Sequence, residues 1–173
     1  MGFSVPNPFG LKFGETPDSK IAEYDIRFYS VPDPHPDFKN YCGKWDPVLG
    51  LTSISCTSMI FEKDRFGENS IALYNRIRSQ LATKYGQYSE SEILFVNSKF
   101  NNLKDFVRSI LECDRSHSSR WAEQFESILD CEIKEINLEI LADGADRSWV
   151  KLTYNFVDDE DRGPGEDIGV SSL

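Results

Sequence analysis

The sequence predicts an α+β domain, in which an antiparallel sheet of about five to seven strands carries two main amphipathic helices on one face. Several segments alternate apolar and polar residues, and two others carry apolar residues at helical spacing. The 173 residues, 39% hydrophobic and 13% aromatic, are enough to bury one core. We therefore expect a single domain over residues 1–157, followed by an acidic tail over residues 158–173.

The N-terminal segments predict a turn over the sheet, a short helix and two strands. We expect segment 9–14 (FGLKFG) to wrap over the sheet edge, with its two rings in the core and its glycines allowing the turns. Segment 16–18 (TPD) has the N-cap, the first-turn proline and the acid of a helix start. Residues 24–29 alternate like a strand, and residues 41–45 predict a second, short strand.

The middle of the chain predicts a half-buried strand and the longest helix. Residues 51–61 (LTSISCTSMIF) are rich in β-branched side chains and alternate polar with apolar positions. A helix is expected from about Asn69 to Tyr85, because one apolar stripe runs along it. Gly86 is a suitable residue to end that helix.

The next segments predict a short strand, a second helix and one ambiguous element. Residues 93–96 form a short apolar run, and Asn102 with Asp105 resembles a capping box. The apolar positions that follow have helical spacing: Leu103, Phe106, Val107, Ile110 and Leu111. Residues 118–122 fit either a strand or the lead-in to a short helix.

Two long strands end the predicted fold. Residues 133–141 and 149–157 each alternate apolar and polar side chains, and Asp143-Gly144 is typical of a turn between them. We expect them to pair as an antiparallel hairpin. An exposed edge on this hairpin would allow strand pairing with another molecule.

The charge balance indicates a basic partner. There are 19 Lys and Arg residues against 29 Asp and Glu residues, so the net charge is −10. A nucleic-acid-binding protein needs a basic surface to displace counterions from phosphates, so we expect no nucleic-acid partner. An acidic protein instead attracts a basic one. Residues 158–167 concentrate this charge, with six acids and a single arginine.

The N-terminal residues and the cysteines indicate a cytoplasmic location. Residues 1–14 lack the basic and apolar regions of a signal peptide, and no stretch approaches a membrane span, so we expect no membrane partner. No C-x-x-C pair occurs among the four cysteines. Four cysteines permit a disulfide framework, but buried free thiols fit a reducing cytosol better. The four positions are Cys42, Cys56, Cys113 and Cys131.

The sequence contains no strong catalytic motif, and we expect no enzymatic activity, no metal and no cofactor. The two histidines lie in different segments, and neither has the spacing of a zinc ligand. The segment that contains Asp114, Ser116 and His117 has the residue types of an atypical hydrolase site. Because neighbouring residues rarely point at one centre, a polar loop is the simpler interpretation.

Aromatic residues in or beside loops indicate a protein-binding surface. They are Tyr29, Phe38, Tyr41, Trp45 and Tyr88. Segment 31–38 has three prolines and predicts an extended surface loop. We expect this loop and the first acids of the tail to contact the partner, through Asp33, His35, Asp37, Phe38, Asp158, Asp159, Glu160 and Asp161.

Several segments together resemble a group of small, acidic bacterial cytosolic proteins with no assigned enzymatic activity. The segments are NPFGLKFG at 7–14, PHPDF at 34–38, GLTSI at 50–54, LATKYG at 81–86 and VKLTYNF at 150–156. Such proteins are similar to immunity proteins, which neutralise polymorphic or secretion-system toxins. The resemblance implies no catalytic residues.

Three functional hypotheses follow. The first is a non-catalytic immunity protein that neutralises a bacterial toxin by direct binding, for example by filling a cationic cleft that normally accepts phosphates. The second is an adaptor or chaperone that binds a secreted effector without inhibiting it. The third is a small hydrolase with an atypical Ser/His/Asp site.

Overall fold

The fold is one antiparallel sheet with two α-helices, as the sequence predicts. The computed structural model describes residues 8–11, 13–14, 25–28, 30–129 and 132–157. Its strands are β1 (Asp25–Phe28), β2 (Phe38–Asp46), β3 (Gly50–Ser58), β4 (Ser89–Leu94), β5 (Arg115–Ala122), β6 (Glu135–Gly144) and β7 (Arg147–Asn155). The helices are α1 (Glu68–Tyr85) and α2 (Phe106–Leu111), with 3₁₀ turns at Pro8–Gly10, Leu103–Asp105 and Glu123–Phe125.

The final hairpin lies inside the sheet and not at its edge. The strand order is β1-β2-β3-β7-β6-β5-β4, and all neighbouring strands are antiparallel. The predicted pairing of β6 with β7 is confirmed. The expected exposed edge on this hairpin is wrong, because β3 pairs with the far side of β7 and β5 with the far side of β6. In the described sheet, the edge strands are β1 and β4.

The core lies between one face of the sheet and the two helices. On the inner face of β6 and β7, six large apolar side chains are at most 6% exposed, and these residues are Ile136, Leu138, Ile140, Val150, Leu152 and Tyr154. They join Leu73, Ile77 and Leu81 of α1 in one apolar cluster. Full burial of one such aliphatic side chain contributes about 1.5–3 kcal/mol, so this face stabilises the helix positions. The alternate side chains on the other face are half-exposed.

A buried carboxylate and a glycine set the start of α1. Asp64 is 5% exposed, and its carboxylate accepts hydrogen bonds from the backbone N–H groups of Asn69 and Ser70, each at 3.2 Å. This satisfies N–H groups that have no partner within the helix. Gly67 has a φ of 70°, in the left-handed region, and a Cβ there would lie 2.3 Å from the Phe106 ring. The helix ends at Tyr85, and Gly86 caps it as predicted, with the Gly86 N–H donating to Ala82 O.

The second helix is shorter than the apolar spacing predicts. Its first turn is a 3₁₀ turn, and Asn102 makes no side-chain capping hydrogen bond, so the predicted capping box is wrong. Leu103 is 82% exposed, whereas Phe106, Val107 and Ile110 are buried. Asp105, where the 3₁₀ turn meets α2, has a non-helical backbone (φ −105°, ψ 13°), so the regular α-helical spacing that would keep Leu103 on the buried face is interrupted.

Three other expectations have mixed outcomes. Phe9 is buried in the core and Phe13 packs against it, as expected. Cys56 is buried, but the expected burial of Cys42 and Cys113 is wrong because both are exposed free thiols. Cys131, the helix start at 16–18 and the tail at 158–173 lie outside the described residues.

Candidate functional site: a cleft between the proline-rich loop and helix α1

The proline-rich loop, residues 31–37, is folded back on itself around His35. The backbone N–H of His35 donates to the Tyr41 hydroxyl at 2.9 Å, and that hydroxyl donates to His35 O at 3.3 Å. The backbone N–H of Asp37 donates to His35 Nδ1 at 3.2 Å. Burial raises the pKa of Tyr41, so its hydroxyl stays protonated and available as a donor. The loop therefore has a defined conformation.

Helix α1 holds this loop from the side. Arg76 Nη2 donates to Asp37 Oδ1 at 2.8 Å, and His35 Nε2 lies 3.1 Å from Gln80 Oε1. Because His35 Nδ1 accepts a hydrogen bond from Asp37, the proton of the neutral ring lies on Nε2, which then donates to Gln80. The two contacts are one helical turn apart on α1, so they fix both the position and the orientation of the loop.

A cavity of about 370 Å³ lies between the loop and α1. Its apolar lining includes Phe9, Phe38, Leu81, Leu152 and Tyr154. Its polar lining consists of Asp33, His35, Gln80 and Lys84. We call this cavity and its rim the loop–helix cleft. An apolar lining with a few polar groups at the rim is typical of a surface that receives a side chain of a partner.

The predicted contact residues divide into exposed and buried groups. Asp33 is exposed, and His35 and Asp37 are half-buried in the contacts with α1. Phe38 is 4% exposed, packs edge-on against Phe9 and lines the cleft from below, so its ring is not free on the outer surface and its contact with a partner stays a prediction. Asp158, Asp159, Glu160 and Asp161 lie outside the described residues.

The loop aromatics are mostly structural. Phe38 and Tyr41 are buried in the core, so the expectation that the core does not need these two rings is wrong. Trp45 and Tyr88 are half-buried, and Tyr88 packs on Trp121 with their ring centroids 4.9 Å apart. Tyr29 lies outside the described residues. The surface of the cleft therefore depends on its charged and polar rim more than on exposed rings.

The structure does not bring Asp114, Ser116 and His117 together. Asp114 Oδ2 accepts a hydrogen bond from Ser98 Oγ at 2.7 Å, and Ser116 Oγ pairs with Ser91 Oγ at 2.9 Å. Residues 115–122 are a strand, so Ser116 and His117 point to opposite faces of the sheet. A nucleophile and a base that face in opposite directions cannot exchange a proton, so these residues do not form a hydrolase site.

His117 belongs instead to a buried cluster under α1 and α2. It is 8% exposed, and its ring packs edge-on against Tyr74, with ring centroids 4.5 Å apart. Its Nε2 lies 3.5 Å from Glu92 Oε1 but makes no hydrogen bond there. Burial lowers the pKa of His117, and the Glu92 carboxylate opposes this effect. The neutral ring is therefore favoured.

Tyr74 completes this cluster on the helix side. Its hydroxyl is hydrogen-bonded to Ser119 Oγ, which is also fully buried. Burial raises the pKa of Tyr74 to about 12, although the hydrogen bond to Ser119 acts in the opposite direction. A phenol with so high a pKa stays protonated near neutral pH, so Tyr74 is not placed to act as a general base.

Sequence reasoning missed the contribution of α1 to the cleft. Arg76 and Gln80 contact the loop across sequence separations of 39 and 45 residues, respectively. Two features of the sequence could have indicated this contact: the polar face of α1, and the opposite charges of Arg76 and Asp37. Among the residues that the structure describes, no group of three His, Cys, Asp or Glu side chains is placed to hold a metal ion.

Comparison with known proteins gives no assignment. No family model, no curated protein and no solved structure matches this chain. Within the described part of the chain, no helix is both long enough and apolar enough to cross a membrane. The resemblance to immunity proteins therefore stays a prediction.

Proposed function

We propose that this protein is a non-catalytic binding protein that neutralises a basic bacterial toxin by direct contact, as an immunity protein does. The observation that carries the proposal is the loop–helix cleft, whose loop is fixed by Arg76 and Gln80 before any partner binds. A preorganised loop loses little conformational entropy on binding, and that loss otherwise weakens an interface.

Charge supports the same proposal. The net charge of −10 would steer a basic partner toward the protein and accelerate association. Asp33 is exposed and lines the cleft, and Asp37 of the same loop is half-buried. We propose that these two acids contact the partner, and that Asp158, Asp159, Glu160 and Asp161 contact it as well.

The test is a charge reversal with a matched control. Tagged protein is used to capture partners from lysate of its native source, with washes at low and then high salt. We expect one basic partner that high salt releases, because contacts between exposed charges are screened. Asp33→Lys combined with Asp158→Lys, Asp159→Lys, Glu160→Lys and Asp161→Lys should abolish capture. Asp146→Lys alters an exposed acid in the β6–β7 turn and should retain it.

Growth under co-expression separates neutralisation from mere binding. The captured partner is expressed alone, with the wild-type protein and with the charge-reversed variant. Rescue of growth by the wild type alone would support the proposal. A partner that binds but whose toxicity is unchanged would indicate an adaptor or chaperone instead. Equal capture and equal salt dependence for the wild type and the charge-reversed variant would show that the assigned surface is wrong.

A further inference from the structure

Strand β4 is an edge strand of the sheet that the described residues form. Its partner on one side is β5, with a register that runs from Ser89 opposite Arg120 to Leu94 opposite Arg115. Among the described residues, no backbone group outside β5 hydrogen-bonds to residues 89–94. An edge strand of this kind has unpaired N–H and C=O groups, to which another extended chain can hydrogen-bond.

The side chains of β4 differ on its two faces. Glu90 and Glu92 lie opposite Ser119 and His117, on the face that the helices cover. Their side chains are 39% and 49% exposed, so each carboxylate stays accessible although Arg78 also contacts both. Ile93 lies on the other face and is 56% exposed. The strand therefore presents acids on one face and an apolar residue on the other.

A cavity adjoins the C-terminal end of this strand. It measures about 310 Å³, and its apolar lining includes Ile93, Phe95, Ile110 and Leu141. Its polar and charged lining includes Asp114, Arg115, Ser116, His117 and Glu139, so two acids and one arginine border it. Phe95 is 61% exposed and the neighbouring Val96 is fully exposed. The open edge of β4 and this cavity form one continuous feature, because Ile93 belongs to both. We call it the edge groove.

We propose that the edge groove binds an extended segment of a basic partner protein, which adds a strand antiparallel or parallel to β4. In such a complex, main-chain hydrogen bonds supply affinity and alternate side chains supply specificity. Basic side chains of the segment would face Glu90 and Glu92, across the short distances of cross-strand neighbours. A large apolar side chain of the segment would enter the cavity beside Ile93 and Phe95.

Charge disfavours a second copy of this chain as the occupant. Each copy carries a net charge of −10, so two copies repel each other. If two antiparallel β4 strands paired symmetrically about Ser91, Glu90 of each copy would lie opposite Glu92 of the other. Like charges in directly opposite positions destabilise a strand pair. The same two acids favour a segment with Lys or Arg at alternate positions.

The edge groove does not depend on the proposed neutralising function. It lies on the β4 side of the molecule, and none of its lining residues contributes to the loop–helix cleft. A peptide assay on the purified protein tests the groove without any native partner. Failure of that assay would leave the capture and growth experiments on the cleft unaffected.

The test is selection of random twelve-residue peptides displayed on phage against the full chain. We expect enriched peptides with Lys or Arg at alternate positions and one large apolar residue. Synthetic versions should bind at least about tenfold more weakly to Ile93→Lys, because a lysine there places a charge in the apolar end of the groove. Val48→Lys is the matched control, since Val48 is 90% exposed in the β2–β3 turn, and it should bind like the wild type.

Two further readouts identify strand addition. Glu92→Gln should reduce the salt dependence of peptide binding, and bound peptide should slow amide hydrogen exchange within residues 89–94. The proposal is overturned if no peptide is enriched, if enriched peptides are acidic, or if Ile93→Lys binds them like the wild type. It is also overturned if sedimentation shows dimers that Ile93→Lys abolishes, because the occupant would then be a second copy.

Discussion

At the scale of single residues, the contacts of His117 are determined by its buried position in β5 and not by the residues next to it in the sequence. Asp114, Ser116 and His117 are close in sequence, but β5 turns Ser116 to the opposite face and leaves His117 against Tyr74. The simpler interpretation from the sequence was a polar loop at this segment, and only residues 118–122 were left open between a strand and the lead-in to a helix. Strand β5 in fact begins at Arg115, and its alternation separates Ser116 from His117, so a decision on the hydrolase hypothesis required the local fold.

The lowered pKa of His117 predicts a pH dependence of stability. The unfolded chain binds a proton at this position more readily than the folded protein does, because burial lowers the pKa below the ordinary 6.5. The contribution of the neutral ring is therefore complete above pH 6.5 and is lost as the pH falls through the folded-state pKa. Urea unfolding between pH 7.5 and 5 should show a steeper loss for the wild type than for His117→Gln.

The difference in unfolding free energy between the wild type and His117→Gln, followed over pH, reports the titration of His117 alone. Both proteins share the same carboxylates, so acid effects from these groups largely cancel in the comparison. Parallel stability curves for the wild type and His117→Gln over this pH interval would contradict a depressed pKa in the folded protein.

At the scale of secondary-structure elements, long patterns were more reliable than short ones. The apolar stripe over residues 69–85 predicted the start of α1 to within one residue. The pattern repeats over five helical turns, so a single position that departs from it does not change the prediction. The shorter α2 pattern included Leu103, which is exposed. The attachment of the proline-rich loop to α1 involves long-range pairs that no local pattern contains.

The contact of Gly67 with α2 predicts a large effect of adding one methyl group. Gly67→Ala should lower the free energy of unfolding by about 2–4 kcal/mol, the sum of a left-handed backbone penalty and displacement of the buried Phe106 ring. Gly144→Ala is the matched control. A Cβ at Gly144 meets only the Arg147 side chain, at 3.5 Å or more, so that change should stay within about 1 kcal/mol. Urea unfolding measures both variants, and equal midpoints would contradict the steric argument.

At the scale of the whole molecule, the strand order predicts a gradient of local stability across the sheet. Strand β7 is paired on both sides along most of its length and its apolar residues are buried, whereas β4 is paired only with β5 among the described residues. We expect the native-state exchange rates of backbone amides to be slowest in β7 and its neighbours β3 and β6. The β4 amides that do not donate to β5 should exchange several orders of magnitude faster. Equal protection in β4 and β7 would contradict this order.

Fold class was predictable at this scale, but the order of the strands was not. Alternation identified the segments that became strands, and the turn at Asp143-Gly144 identified the hairpin of β6 with β7. The pairing of β3 with β7 joins residues about 100 positions apart, and both strands have the same alternating character as their neighbours. No periodicity distinguishes the correct partner from the others, which is why the predicted free edge was assigned to the wrong strands.

The central place of β7 has a consequence for how the chain is made. Strands β1 to β3 form one part of the sheet and β4 to β6 another, and β7 is the strand that joins them. During synthesis on the ribosome, the first part must wait with one side of β3 unpaired until residues 147–155 have emerged. Completion of the sheet is therefore a late event, and a message truncated before this strand would yield two half-sheets with exposed apolar faces, a substrate for chaperones and proteases.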